Sequence, residues 1–224
     1  MDRFVSGDSV SAHRLRVAAL CAILLSASLC GCTVLSTLAY IVHDDNTPAE
    51  FPGLEGKKIA VVCRAASQTQ FADSSAAPAL AALVGEQLAK NVKKCTVISP
   101  GQVANWADSN NWDEYAEIGR AMKADMVVGI DLEQFSLYEG QTLYQGRADI
   151  HVWVYDMHTG GHTAIFNRKM PQTIWPSSAA VSVSDRSEDA FRRQYLDVIA
   201  DHIARYFYEH ERLLEYATDA DSLK

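Results

Sequence analysis

The chain has 224 residues and a formal net charge of −8, with 20 Lys and Arg against 28 Asp and Glu. An acidic chain with no basic run is poorly suited to nucleic acid or to an anionic membrane surface, which argues against both as partners. The length is enough for one ordinary domain with a real core.

Arg3, Arg14 and Arg16 stand ahead of an uncharged apolar run, Val17–Leu29, that ends in Leu29-Cys30-Gly31-Cys32. That order matches an export signal, which is set aside in reading the fold. The tetrapeptide reads as a lipobox: a bulky aliphatic residue at −3, a small residue at −1 and a cysteine that takes a diacylglycerol. Gly31 fits a signal-peptidase cleft and Leu29, ahead of Cys30, does not. Signal cleavage is therefore expected after Gly31 and lipidation at Cys32. An uncleaved signal-anchor helix is the alternative, because the uncharged run continues to Val42 and roughly 20 apolar residues cross a bilayer. Arg14 and Arg16 would then face the cytoplasm. Both readings place the rest of the chain outside the cytoplasm, in a periplasmic setting, and Thr33 in place of an aspartate after Cys32 favours the outer membrane. Removing residues 1–31 takes 3 basic and 2 acidic groups from the totals, so 20 − 3 against 28 − 2 gives a mature net charge of −9.

Residues 32–56 read as a lipidated tether: His43–Gly56 carries Asp44, Asp45, Asn46, Pro48 and Pro52. Gly53-Leu-Glu-Gly56-Lys57 lacks the spacing and the Ser/Thr of a phosphate loop and precedes a strand instead of following one. A single α/β domain is expected over 57–212. It opens with the buried strand Lys58–Cys63. Helix Ala76–Lys94 follows, with Pro78 in its first turn and Leu80, Leu83, Val84, Leu88 and Val92 on one stripe. Strand Cys95–Ser99 is stopped by Pro100-Gly101. A second helix over Asp113–Ala124 buries Tyr115, Ile118 and Met122, and Asp125–Leu132 is a third strand. This βαβαβ order implies parallel strands with right-handed crossovers.

Three strands without helices between them come next: Asp131–Tyr138, Leu143–Asp156 and His162–Lys169. In the second, Ala148, Ile150, Val152 and Val154 alternate with Asp149, His151, Trp153 and Tyr155, and Asp156–Gly161 is a hairpin turn. Met170–Asp185 is read as irregular. Ser187–Arg212 is an amphipathic helix closing the domain, and 213–224 is a flexible tail. The expected fold class is α/β (α+β): a βαβαβ core, an antiparallel meander and a C-terminal amphipathic helix.

No G-x-S-x-G, H-E-x-x-H or Cys-x-x-Cys occurs, so neither an enzyme nor a cofactor is expected. His151, His158 and His162 cluster at the hairpin, and His158 with His162 could in principle hold a metal, but simple solvation of turn and strand-face histidines is the better account and no metal is expected. Asp131 and Glu133 end a strand, where α/β sheets place sites, although charges commonly finish strands. Cys63 and Cys95, in an oxidising compartment, raise the question of a disulfide. On parallel neighbours they would lie on the order of 12–15 Å apart, beyond the ~7 Å that a bridge spans. Two free thiols are expected. Of Trp106, Trp112, Trp153 and Trp175, the last two are the candidates for contacting a partner, Trp153 on the meander and Trp175 in the irregular segment.

Lys57–Val62, Ile118–Ile130, Ala148–Gly160 and the terminal helix fall in an order that resembles the lipoprotein domains of the curli-secretion channel family. The same order resembles the penicillin-binding-protein activator lipoproteins and the amino-terminal domain of TolB. The resemblance implies an envelope protein that binds protein partners in assembly, secretion or wall regulation. Its alternative is a ring-forming homo-oligomer of an export channel, although Gln141, Gln145, Arg147 and Asp149 deny the 140s hairpin the apolar band of a membrane-spanning barrel.

Overall fold

The computed structural model describes residues 46–67, 69 and 73–211. The expected signal, Cys32 and the 213–224 tail lie outside them. The strands are β1 (Asn46–Thr47), β2 (Lys58–Ala65), β3 (Thr96–Val97), β4 (Met126–Glu139), β5 (Leu143–Asp156), β6 (Ala164–Lys169), β7 (Thr173–Trp175), β8 (Val181–Ser182) and β9 (His210–Glu211). The helices are α1 (Ala76–Asn91), α2 (Pro100–Ser109), α3 (Tyr115–Met122) and α4 (Glu188–Ala204).

The main sheet runs β3-β2-β4-β5-β6, with β7 and β8 also paired to β5. β2 is parallel to β3 and β4, and the remaining pairs are antiparallel. This is the expected mixed α+β architecture. Both faces of β2 are buried because helices cover both: Ile59 and Val61 pack with α1 and α4, and Ala60 and Val62 with α2 and α3. A run of small and branched apolar residues suits a strand covered in that way. Each Ile or Leu buried there contributes about 1.5–3 kcal/mol.

β5 alternates as the sequence implies, with Ala148, Ile150, Val152 and Val154 inaccessible and the intervening residues half-buried. Its buried face receives Phe191, Tyr195 and Ile199 of α4. Gly146 makes this approach close, since a Cβ there would stand 2.5 Å from the Tyr195 ring. Ser187 caps α4, accepting from the Ala190 N–H.

Several elements differ from expectation. Pro100 begins α2 instead of ending a segment, because proline's missing N–H costs nothing in a first turn. The two strands read from Asp125 to Tyr138 are one strand, β4, bent by irregularities near Leu132/Gln134 and Ser136/Tyr138. Residues 46–56 belong to the domain and not to a tether: Leu54 is fully buried, and Phe51 packs on Phe166 and Phe207. The last helix ends at Ala204, followed by a single 3-10 turn and β9, which pairs with β1.

Candidate functional site

The side chains that converge most tightly lie where the parallel β2–β4 ladder ends, at the carboxyl end of β2 and midway along β4. Asp131 is their centre. Its Oδ1 accepts the Tyr115 hydroxyl at 2.7 Å and the Arg64 guanidinium at 3.1 Å, and its Oδ2 accepts the Trp153 indole N–H at 2.8 Å. Arg64 also donates to the Asp113 carbonyl and lies over the Trp112 and Tyr115 rings, 5.8 and 5.1 Å from their centroids.

Each partner arrives by a local device. α3 begins with a capping box between Glu114 and Glu117, which fixes Tyr115 at its first position. Gly129 on β4 lets the Tyr115 ring lie on the sheet, because a Cβ there would come 2.8 Å from the ring. Trp153 faces outward on β5 and stacks on His151, two residues earlier, with centroids 3.9 Å apart. Tyr155 continues the row, 5.7 Å from Tyr115.

Burial, reinforced by the negative charge of Asp131, pushes the Tyr115 hydroxyl and the Cys63 thiol well above their ordinary values. Tyr115 therefore stays a neutral donor. A carboxylate that accepts from three side chains holds rings and cation in place. The product is a rigid platform of Trp112, Trp153 and Tyr155 crossed by a guanidinium whose side chain is 47% exposed. Beyond it the face turns polar, where Lys169 pairs with Glu133 at 2.8 Å and Gln172 donates to Asp149.

Of the two tryptophans expected at a contact surface, Trp153 is half-buried on this platform. Trp175 is not on it. At 2% exposure it lies against Phe191 and Tyr195, because β7 adds to β5 and turns that ring beneath α4. It is a core residue and offers no ring to a partner. Trp106 and Trp112 are half-buried around the core that α2 and α3 cover. His158 approaches Asp125 at 3.4 Å, apart from His151 on the platform. Asp131 stands out in the sequence as a charge ending a strand, but β4 continues past it to Glu139. Arg64 and Tyr115 were missed as site residues, and their signal would have been an Arg two residues past a buried apolar run and a Tyr opening a helix.

Cys63 and Cys95 are free. In the observed register Lys58 lies opposite Thr96, so the two cysteines fall toward opposite ends of the β2–β3 pair, out of bridging reach.

No family model matches the chain, and no curated protein does. Among solved structures, a PelC dodecamer from Paraburkholderia phytofirmans is 13% identical, with a TM-score of 0.42 over 74% of this chain and 96% of that one. Lipoprotein GNA1162 from Neisseria meningitidis is 11% identical, with a TM-score of 0.40 over 66% and 97%. A minor lipoprotein from Acinetobacter baumannii is 14% identical, with a TM-score of 0.33 over 66% and 90%.

Proposed function

We propose that the chain is a lipid-anchored, non-enzymatic module of the cell envelope that binds a protein partner through the Arg64–Trp112–Trp153 platform. The observation that carries this reading is the platform itself: aromatic rings and an arginine locked by one carboxylate. Trp, Tyr and Arg dominate interface hot spots, and fixed side chains lose little entropy on docking. The lipobox ending in Cys32 supports the anchor and the compartment. Crosslinking in native membranes followed by copurification tests the surface. Trp153→Ala and Arg64→Ala are expected to lose a partner that Trp175→Phe retains, and an unchanged partner set in both surface variants refutes the assignment. Intact mass of the membrane-extracted protein tests the anchor: cleavage before Cys32 with added acyl mass supports it, and an intact N-terminus replaces it with a signal-anchor helix.

A second reading, self-association into a ring, has an observation in its favour. Ile165 of β6 (46%) and Ile174 of β7 (40%) are exposed on strands that pair along the outer side of β5, and Leu143 (38%) is exposed at the first residue of β5. Light scattering of the detergent-solubilised protein at high concentration tests it, and a monomer removes it.

A further inference from the structure

The edge of β2 that faces β3 has no strand beside it over most of its length. β3 pairs with Lys58 and Ile59 alone, and that ladder ends at the bond from the Ile98 N–H to the Ile59 carbonyl. Backbone groups alternate sides along a strand. The Lys58 carbonyl accepts from Asp125, and the Ala66 N–H donates to Leu132, so even-numbered residues of β2 bond β4. The Lys57 and Ile59 carbonyls accept from Thr96 and Ile98 on the other side. By the same alternation, the N–H and C=O groups of Val61, Cys63 and Ala65 point to where a longer β3 would run. Among the described residues no strand meets them.

A groove of about 350 Å³ lies along this edge, floored by Val61–Ala65. Ala77 and Ala81 of α1 line one wall, and Ala104 and Ala107 of α2 line the other. The topology makes the slot. α1 crosses one face of the sheet from β2 to β3, and α2 with α3 crosses the opposite face from β3 to β4. The two helices therefore flank a strand position that β3 is too short to fill.

We propose that this groove takes an extended peptide from another protein, added as a strand to the free edge of β2 between α1 and α2. Donors and acceptors at every second residue call for an extended backbone, because a helix has already paired its own groups. From Val61 to Ala65 is four steps, about 13 Å at ~3.3 Å per residue, which matches a segment of about five residues. Alanine walls select small side chains on the peptide, while main-chain bonds supply the affinity. This site goes beyond the platform reading: it works through the backbone groups of β2, although Arg64 and Trp112 of the platform are among its lining residues.

The test is affinity selection of the full chain, in detergent, against a random heptapeptide library, followed by N-methyl scanning of the enriched sequence. Small residues should be enriched. N-methylation at alternate peptide positions should weaken binding on the order of tenfold, the equivalent of one lost hydrogen bond, while the intervening positions tolerate it. Ala104→Phe and Ala107→Phe, each filling the slot from a different half-exposed position, should abolish binding, whereas Trp153→Ala leaves it unchanged. Absence of any enriched peptide, a uniform response to N-methylation, or wild-type affinity in a folded groove variant overturns the proposal. Loss of affinity in Trp153→Ala assigns the peptide to the platform and overturns it too.

Discussion

The Asp131–Trp153 bond is the link whose removal says most about the platform. In Asp131→Ala three donors lose their acceptor, with unequal consequences. The Tyr115 hydroxyl still has the Ile130 carbonyl at 3.1 Å. Arg64, half in solvent, rehydrates and keeps the Asp113 carbonyl, so its share is ~0–1 kcal/mol. The Trp153 indole N–H, half-buried on the sheet, has no second acceptor among the described residues and costs about 1–2 kcal/mol. The sum is roughly 2 kcal/mol, or about 4–8 °C in Tm for a domain of this size. Introduced into a Trp153→Phe background, Asp131→Ala should cost only about 1 kcal/mol, because the orphaned donor is already gone. Urea denaturation of the four proteins in the cycle measures the coupling, expected at about 1 kcal/mol. Additivity within ~0.3 kcal/mol, the behaviour of independent sites, refutes the claim that Asp131 holds the indole.

Trp175→Ala should cost about 3–5 kcal/mol by chemical denaturation, as expected for a fully buried aromatic. Asp73 accepts from Arg192 and Ser75. Burial opposes its charge, but those bonds outweigh it and hold the carboxyl below its ordinary value of 3.8. A lowered folded value stabilises the protein above the unfolded value, and that contribution is lost as pH falls through the folded one. Stability measured at pH 5 and pH 3 should therefore drop by about 1 kcal/mol more in wild type than in Arg192→Met. Burial pushes the Cys95 thiol up to about 11 and the Cys63 thiol higher still. Tryptic mapping after iodoacetamide at neutral pH should find both largely unmodified, and both modified once the protein is unfolded.

How far the sequence revealed this arrangement depended on whether the signal was periodic. β5 was legible because the alternation from Ala148 to Tyr155 has one structural meaning. α2 was obscured by Pro100-Gly101, a pair that suits a strand's end as well as a helix's start. Phe51 and Leu54 were hidden among prolines and glycines, whose composition suggests a tether although the two apolar residues reach the core. Trp175 lacked periodic neighbours, and three residues of β7 leave no pattern. Trp153 and Asp131 were each legible alone but not as one platform with Arg64, because Arg64 and Trp153 lie 67 and 22 positions away from Asp131. Their meeting depends on the sheet order, which no local pattern carries.

The short β1–β9 pair closes the domain on itself. Asn46 stands opposite Glu211 and Thr47 opposite His210, so the polypeptide enters and leaves at one spot, with opposed Cα atoms about 4.5–5.5 Å apart. Such a domain can be spliced into a host loop as a single insert, or cut at the Asp156–Gly161 turn and rejoined here by a few residues, with every strand pairing of the main sheet preserved. Its architecture thus has no obligatory first or last element. Order along the chain and order in space are separable, and the β2 groove and the Asp131 platform would be carried intact through such a rearrangement.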